Sequence, residues 1–111
     1  MFETTDPLGR KVKLETKTWN IHIVPSHNEL YKQDALVKKT IEDPKFILVD
    51  KDSQSRQNYF DLCNIPKDNS LSILKVVVDF TNSTGDVMTA YTIKSTPTQA
   101  TTKRGVIYER P

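Results

Sequence analysis

Apolar and polar positions along the chain divide it into a helical first half and a strand-rich second half. Phe2-Glu-Thr-Thr, the turn residues Asp6-Pro7-Leu8-Gly9 and Val12-Lys-Leu14 predict a small N-terminal hairpin. Its edges would be exposed, so it should pack on something else. From Thr16 to Leu30, Trp19, Ile23 and Leu30 recur at helical spacing, flanked by Ile21 and Val24. Pro25 lacks a backbone donor and should end or kink that helix, with a second turn starting near Ser26. A clearer helix is expected from Gln33 to Glu42, with Ala35, Leu36, Val37 and Ile41 near one stripe, and Asp43-Pro44 stops it. Four strands follow: Phe46–Val49, Asn58–Cys63, Ser72–Phe80 and Val87–Ile93. The third reads as buried on both faces. Thr81–Gly85 closes a hairpin onto the fourth, where alternation places Val87, Thr89, Tyr91 and Ile93 on one face. The expected fold class is α+β: short N-terminal helices packed on an antiparallel sheet of about four strands, with an N-terminal hairpin.

Length and composition narrow the picture without fixing a function. The 111 residues suit one domain, with residues 1–15 as a hairpin or extension and 95–111 as a mobile basic C-terminal segment. Pro66-Lys-Asp-Asn-Ser70 reads as an irregular turn, and Ser95–Thr102 as a long Thr/Ser/Pro/Gln-rich loop. No apolar run is longer than the four residues Phe46-Ile-Leu-Val49, and the valine run Val76-Val77-Val78 is shorter still, too short for a membrane span or a signal core, so a cytoplasmic protein with no membrane partner is expected. A net charge of +2 is too small to argue for nucleic acid. The two ends are net basic, from Arg10 to Lys17 and from Lys94 to Arg110, while the middle is near neutral, and a fold that joined the ends would make a phosphate-facing patch; otherwise they are a solvated surface. The single cysteine, Cys63, excludes an internal disulfide and reads as a buried thiol rather than a nucleophile. The three glycines are scattered, so there is no phosphate loop, and no residue group has zinc spacing. No metal or cofactor is expected.

Candidate chemistry centres on the two histidines and the last two strands. His22 and His27 lie five apart, about 140° around an unbroken helix, so only a break at Pro25 lets both face one site. His22 reads either as a proton-transfer group or as a packed or capping histidine. His27 either serves a site too or simply opens a second turn with Ser26 or Asn28 as cap and Glu29 in its first turn. Lys75 is a phosphate-binding point charge or a solvated strand residue. Thr89 and Tyr91 share a strand face, where they reach substrate if that face is open and fill the core if it is not.

The order of four phrases carries a resemblance: a His22-Ile…His27-Asn-Glu29 segment, Thr40-Ile-Glu-Asp-Pro44, Lys75-Val-Val-Val-Asp79, and Thr89-Ala-Tyr91. Together they resemble the phage-type branch of the barnase–EndoU–colicin–RelE-like nucleases (PBECR), over roughly Trp19 to Lys94. Asn28 stands where that family usually has proline, and Pro25 lies inside the histidine segment. The resemblance implies a metal-independent endoribonuclease, a toxin or a phage or mobile-element effector, bacterial or phage-encoded, with RNA as substrate and an immunity protein or antitoxin as partner. With it, His22 is expected to lead as the catalytic base or acid, His27 to be the second candidate, and Lys75 with Thr89 or Tyr91 to contact the phosphate in catalysis. Arg56, Tyr59, Lys94 and Ser95 are expected to contact RNA, although Lys94 falls on the face opposite Tyr91 if the strand persists. The alternative is a non-catalytic RNA- or protein-binding module of a phage or mobile-element assembly.

Overall fold

The structure, a computed structural model, describes residues 1–65, 70–95, 97 and 104–111. The expected Pro66–Ser70 turn and Ser95–Thr102 loop lie largely outside the described residues. β1 (Phe2–Thr5) and β2 (Lys11–Leu14) form the hairpin read from the sequence, and β3 (Phe46–Val49), β4 (Arg56–Ile65), β5 (Ser70–Asp79) and β6 (Gly85–Ile93) form the meander. β7 (Val106–Glu109) falls in the stretch expected to be a mobile basic segment.

The expected fold class, short helices on an antiparallel sheet of about four strands, is not what these elements build. They join in one seven-stranded mixed sheet, ordered β1-β2-β6-β5-β4-β3-β7 and curled into a half-barrel. Two pairings cause the difference. β2 runs parallel to β6 through Val12↔Gly85 and Lys13↔Asp86, which brings the N-terminal hairpin into the sheet. At the other edge β7 pairs antiparallel with β3, Ile47 facing Tyr108. Both contacts link segments far apart in sequence, where local hydrophobic patterning carries no signal.

The helical part is small. A π-helical segment (Thr18–Ile23) runs into a single α-turn, α1 (Val24–Ser26), then a 3₁₀ turn (Asn28–Leu30), before α2 (Asp34–Glu42). Pro25 does not stop the helix where expected. The Val24 N–H donates to Trp19 five residues back, so the chain is already in π register where proline supplies no donor. The break comes at His27, whose N–H still donates to Ile23 O at 2.8 Å while its own φ of −136° and ψ of 67° leave the helix. α2 turns Val37, Thr40 and Ile41 inward, the Thr40 hydroxyl donating to Leu36 O at 2.9 Å. It ends at Asp43, held extended by Pro44.

One sheet face is covered by these helices. There Leu74, Val76 and Val78 of β5, Tyr59 and Cys63 of β4, and Ala90 and Val87 of β6 pack with Trp19, Ile23, Leu30, Val37 and Ile41. On the opposite face Leu48 and Phe60 are buried among Phe46, Ile73, Ile93 and Val106. A bulge opposite Val77/Val78 corrects the expected alternation of β6. Val78 faces Val87 but Val77 faces Thr89, so Val87 sits in the helix-covered core while Thr89, Tyr91 and Ile93 lie on the opposite face.

The hairpin is tied down by a polar cluster. Asp6 is 4% exposed; its Oδ1 accepts the Leu8 and Arg10 N–H groups, and its Oδ2 accepts Arg10 Nε at 2.9 Å and the Tyr59 hydroxyl at 2.6 Å. Arg10 also donates to Gln57 at 2.8 Å and lies 4.3 Å from the Phe80 ring centre.

Candidate functional site

The break at His27 has a direct chemical result. Because β2 pairs with β6 only at Gly85 and Asp86, the rest of β6 on that side is flanked by the helical segment instead of a strand. Leaving the helix there, His27 stacks on Tyr91 with ring centres 5.2 Å apart and planes 27° from parallel. Lys75, the register partner of Tyr91 on β5, places Nζ 5.3 Å from the centre of the same ring. An aromatic pair of this kind contributes about 1 kcal/mol and a half-exposed cation–π contact about as much. All three side chains are half-buried. Thr89, which faces Val77, lies one step along the same sheet face. Next to Tyr91, the Thr92 hydroxyl donates to Glu29 at 3.4 Å, which ties the 3₁₀ turn after His27 to the strand.

His27, Lys75, Tyr91 and Thr89 thus meet on one side of the β5–β6 pair, and the other expected residues go elsewhere. His22 is exposed on the helix and makes no hydrogen bond or ion pair among the described residues. Arg56 pairs with Asp79 at 3.5 Å, at the far end of β5. Tyr59 is fully buried on the helix-covered face, and burial, then its bond to Asp6, holds its hydroxyl proton well above the tyrosine range. Lys94 and Ser95 are exposed just past β6.

Among the described residues the basic ends do not merge into a patch. Four strands stand between β2 and β7, Arg10 is bound to Asp6, Lys13 to Asp86 and Glu15, and Arg110 to Asp43 and Asp61. Cys63 is buried and free, with burial raising its thiol pKa. Among the described residues no group of three or more His, Cys, Asp or Glu is placed to hold a metal ion, and no helix is long and apolar enough to cross a membrane. Glu29 is read from the sequence as a helix-start acid and as part of the histidine phrase; its contact with Thr92, 63 positions away, has no local signal.

The chain matches no known protein-family model, no curated protein and no solved structure.

Proposed function

We propose that this chain is a metal-independent endoribonuclease working at the His27–Tyr91–Lys75 cluster. The observation that supports the reading is the meeting of a proton-exchanging ring, a phenol and an ammonium group on one sheet face. RNA cleavage without a metal needs a base for the 2′-hydroxyl, a donor for the departing 5′-oxygen and positive charge at the phosphate. In this reading His27 takes the 2′-hydroxyl proton as that oxygen attacks phosphorus. The P–O5′ bond breaks as the 5′-oxygen gains a proton from Tyr91, leaving a 2′,3′-cyclic phosphate and a 5′-hydroxyl. Lys75 holds the phosphate as a point charge.

The test is cleavage of a labelled RNA in excess EDTA by the parent protein and by His27→Ala, Lys75→Ala and Tyr91→Phe. The reading expects losses of about 10²- to 10⁴-fold for His27→Ala and no effect of His22→Ala. Activity untouched by His27→Ala sinks it. The position of His22 outside the cluster favours a second reading, in which the same face holds RNA without cutting it. That reading expects RNA binding weakened by Lys75→Ala with no cleavage product from the parent.

A further inference from the structure

Among the described residues the β4–β5 ribbon extends past its neighbour and leaves a free strand edge. β4 pairs with β5 along its whole length, from Arg56 to Ile65, but with β3 only from Gln57 to Phe60. The last contact on that side is the Lys45 N–H donating to Phe60 O at 2.7 Å. Phe60 therefore turns its backbone groups toward β3, and by the period of two Leu62 and Asn64 turn theirs the same way. No strand meets them among the described residues. The Leu62 N–H is satisfied instead by the Asp61 side chain at 2.9 Å, a local cap of the kind that protects exposed edges.

The surroundings of this edge are shaped for an occupant. Leu62 and Leu71, on the two paired strands of the overhang, are 54% and 66% exposed. Beside them a groove of about 180 Å³ is lined by Lys45, Phe60, Asp61, Leu62 and Ile73. Its charges are unequal. Asp61 is already engaged by Arg110 at 3.3 and 3.4 Å, whereas the Lys45 ammonium lies over Phe46, 5.9 Å from the ring centre, with no acidic partner among the described residues.

We propose that the β4 edge from Asp61 to Asn64 is a docking site for an extended peptide segment of a partner protein, which adds as a strand, seats an apolar side chain in the groove and sets an acidic residue beside Lys45. Strand addition uses main-chain hydrogen bonds for affinity and side-chain pockets for specificity, and both elements are present here. A second copy of this chain fits less well. Five overhanging residues make a ribbon of roughly 16 Å, too short to bury by itself the roughly 1,200–2,000 Å² of a stable pair of domains, and among the described residues at this edge a copy brings another Lys45 but only an Asp61 already engaged by Arg110. RNA lacks the alternating N–H and C=O groups that the edge would pair. The site is separate from the proposed ribonuclease cluster, though Phe60 is the register neighbour of Lys75.

The experiment is amide NMR on the full ¹⁵N-labelled chain titrated with three synthetic probes: acetyl-Ser-Leu-Glu-Val-Thr-amide, the same peptide with Lys for Glu, and the Glu peptide N-methylated at alternate amides. The proposal expects the Glu peptide to shift the Leu62 and Asn64 amides, the Lys peptide to bind at least tenfold more weakly, and the N-methylated peptide not to bind. Lys45→Glu, an exposed position away from the core, should invert the preference between the two charged peptides. No shift at these amides, equal binding of the N-methylated probe, dimerisation through this edge in sedimentation equilibrium, or displacement of the peptide from these amides by an RNA oligonucleotide would each overturn it.

Discussion

Replacing Tyr59 by Phe keeps the buried ring and deletes one atom, the oxygen that donates to Asp6 at 2.6 Å. A buried hydrogen bond to a charged acceptor contributes about 1.5–3 kcal/mol, and the loss here should be about 2 kcal/mol, a fall in Tm of roughly 8 °C for a chain of this size. Asp6→Asn should cost more. Its oxygen can still accept the Leu8 and Arg10 N–H groups, but its amide would face the Arg10 Nε–H and the Tyr59 hydroxyl, leaving a largely buried cation without its counter-charge; about 3–4 kcal/mol is expected. Because both changes break one bond, the double variant should lose less than the sum, with a coupling of about 1–2 kcal/mol. Urea unfolding followed by fluorescence of Trp19, the one tryptophan and 4% exposed, measures all four proteins. A Tyr59→Phe loss under about 0.5 kcal/mol, or strict additivity, refutes the idea that this cluster anchors the hairpin. There is also a pH signature. Burial, then Asp6, raises the folded Tyr59 pKa, so above about pH 10 the unfolded chain gives up this proton first and stability falls. Tyr59→Phe should remove that part of the alkaline slope.

Two further outcomes follow from packing and charge elsewhere. The Asp79 carboxyl is held down to about 2 from an ordinary 3.8, first by the Thr81 hydroxyl and N–H and then by Ser55 and Arg56; its stabilisation is present above pH 4 and lost as pH falls toward 2, so Asp79→Ala should flatten the urea midpoint over that window, and an unchanged acid limb would contradict the assignment. A Cβ at Gly85 would lie 2.7 Å from Val78 Cγ1 and 2.8 Å from Phe80 Cε1, so Gly85→Ala should cost about 1–3 kcal/mol in a thermal melt, and an unchanged Tm would show that this corner is loosely packed.

Where the sequence could be read, local patterning was enough. The meander strands from Phe46 to Ile93 and the β1–β2 hairpin announce themselves by alternation and by turn residues such as Asp6-Pro7-Leu8-Gly9. β7 did not, because Val-Ile-Tyr-Glu is four residues inside a polar, basic stretch, and its strand state depends on pairing with β3. The sheet's extent was hidden for the same reason at the other edge, where Val12 meets Gly85. The site was half legible. Lys75, Thr89 and Tyr91 could be placed by register, but the π register that carries the chain past Pro25 and releases His27 onto Tyr91 depends on how Trp19 and Ile23 seat in the core. Tyr59, expected to contact RNA, is instead buried on Asp6, a partner 53 positions earlier that local patterning does not reveal.

The parallel contact between β2 and β6 also sets a schedule for synthesis. The hairpin leaves the ribosome before the rest of the sheet, yet the strand that shelters Val12 and Leu14 arrives about seventy residues later. At 5–20 residues per second that is a delay of roughly 4–15 s, during which the nascent hairpin carries uncovered apolar side chains and an unmatched strand edge. The interval makes the first fourteen residues the segment through which a chaperone would most readily hold this protein before it closes.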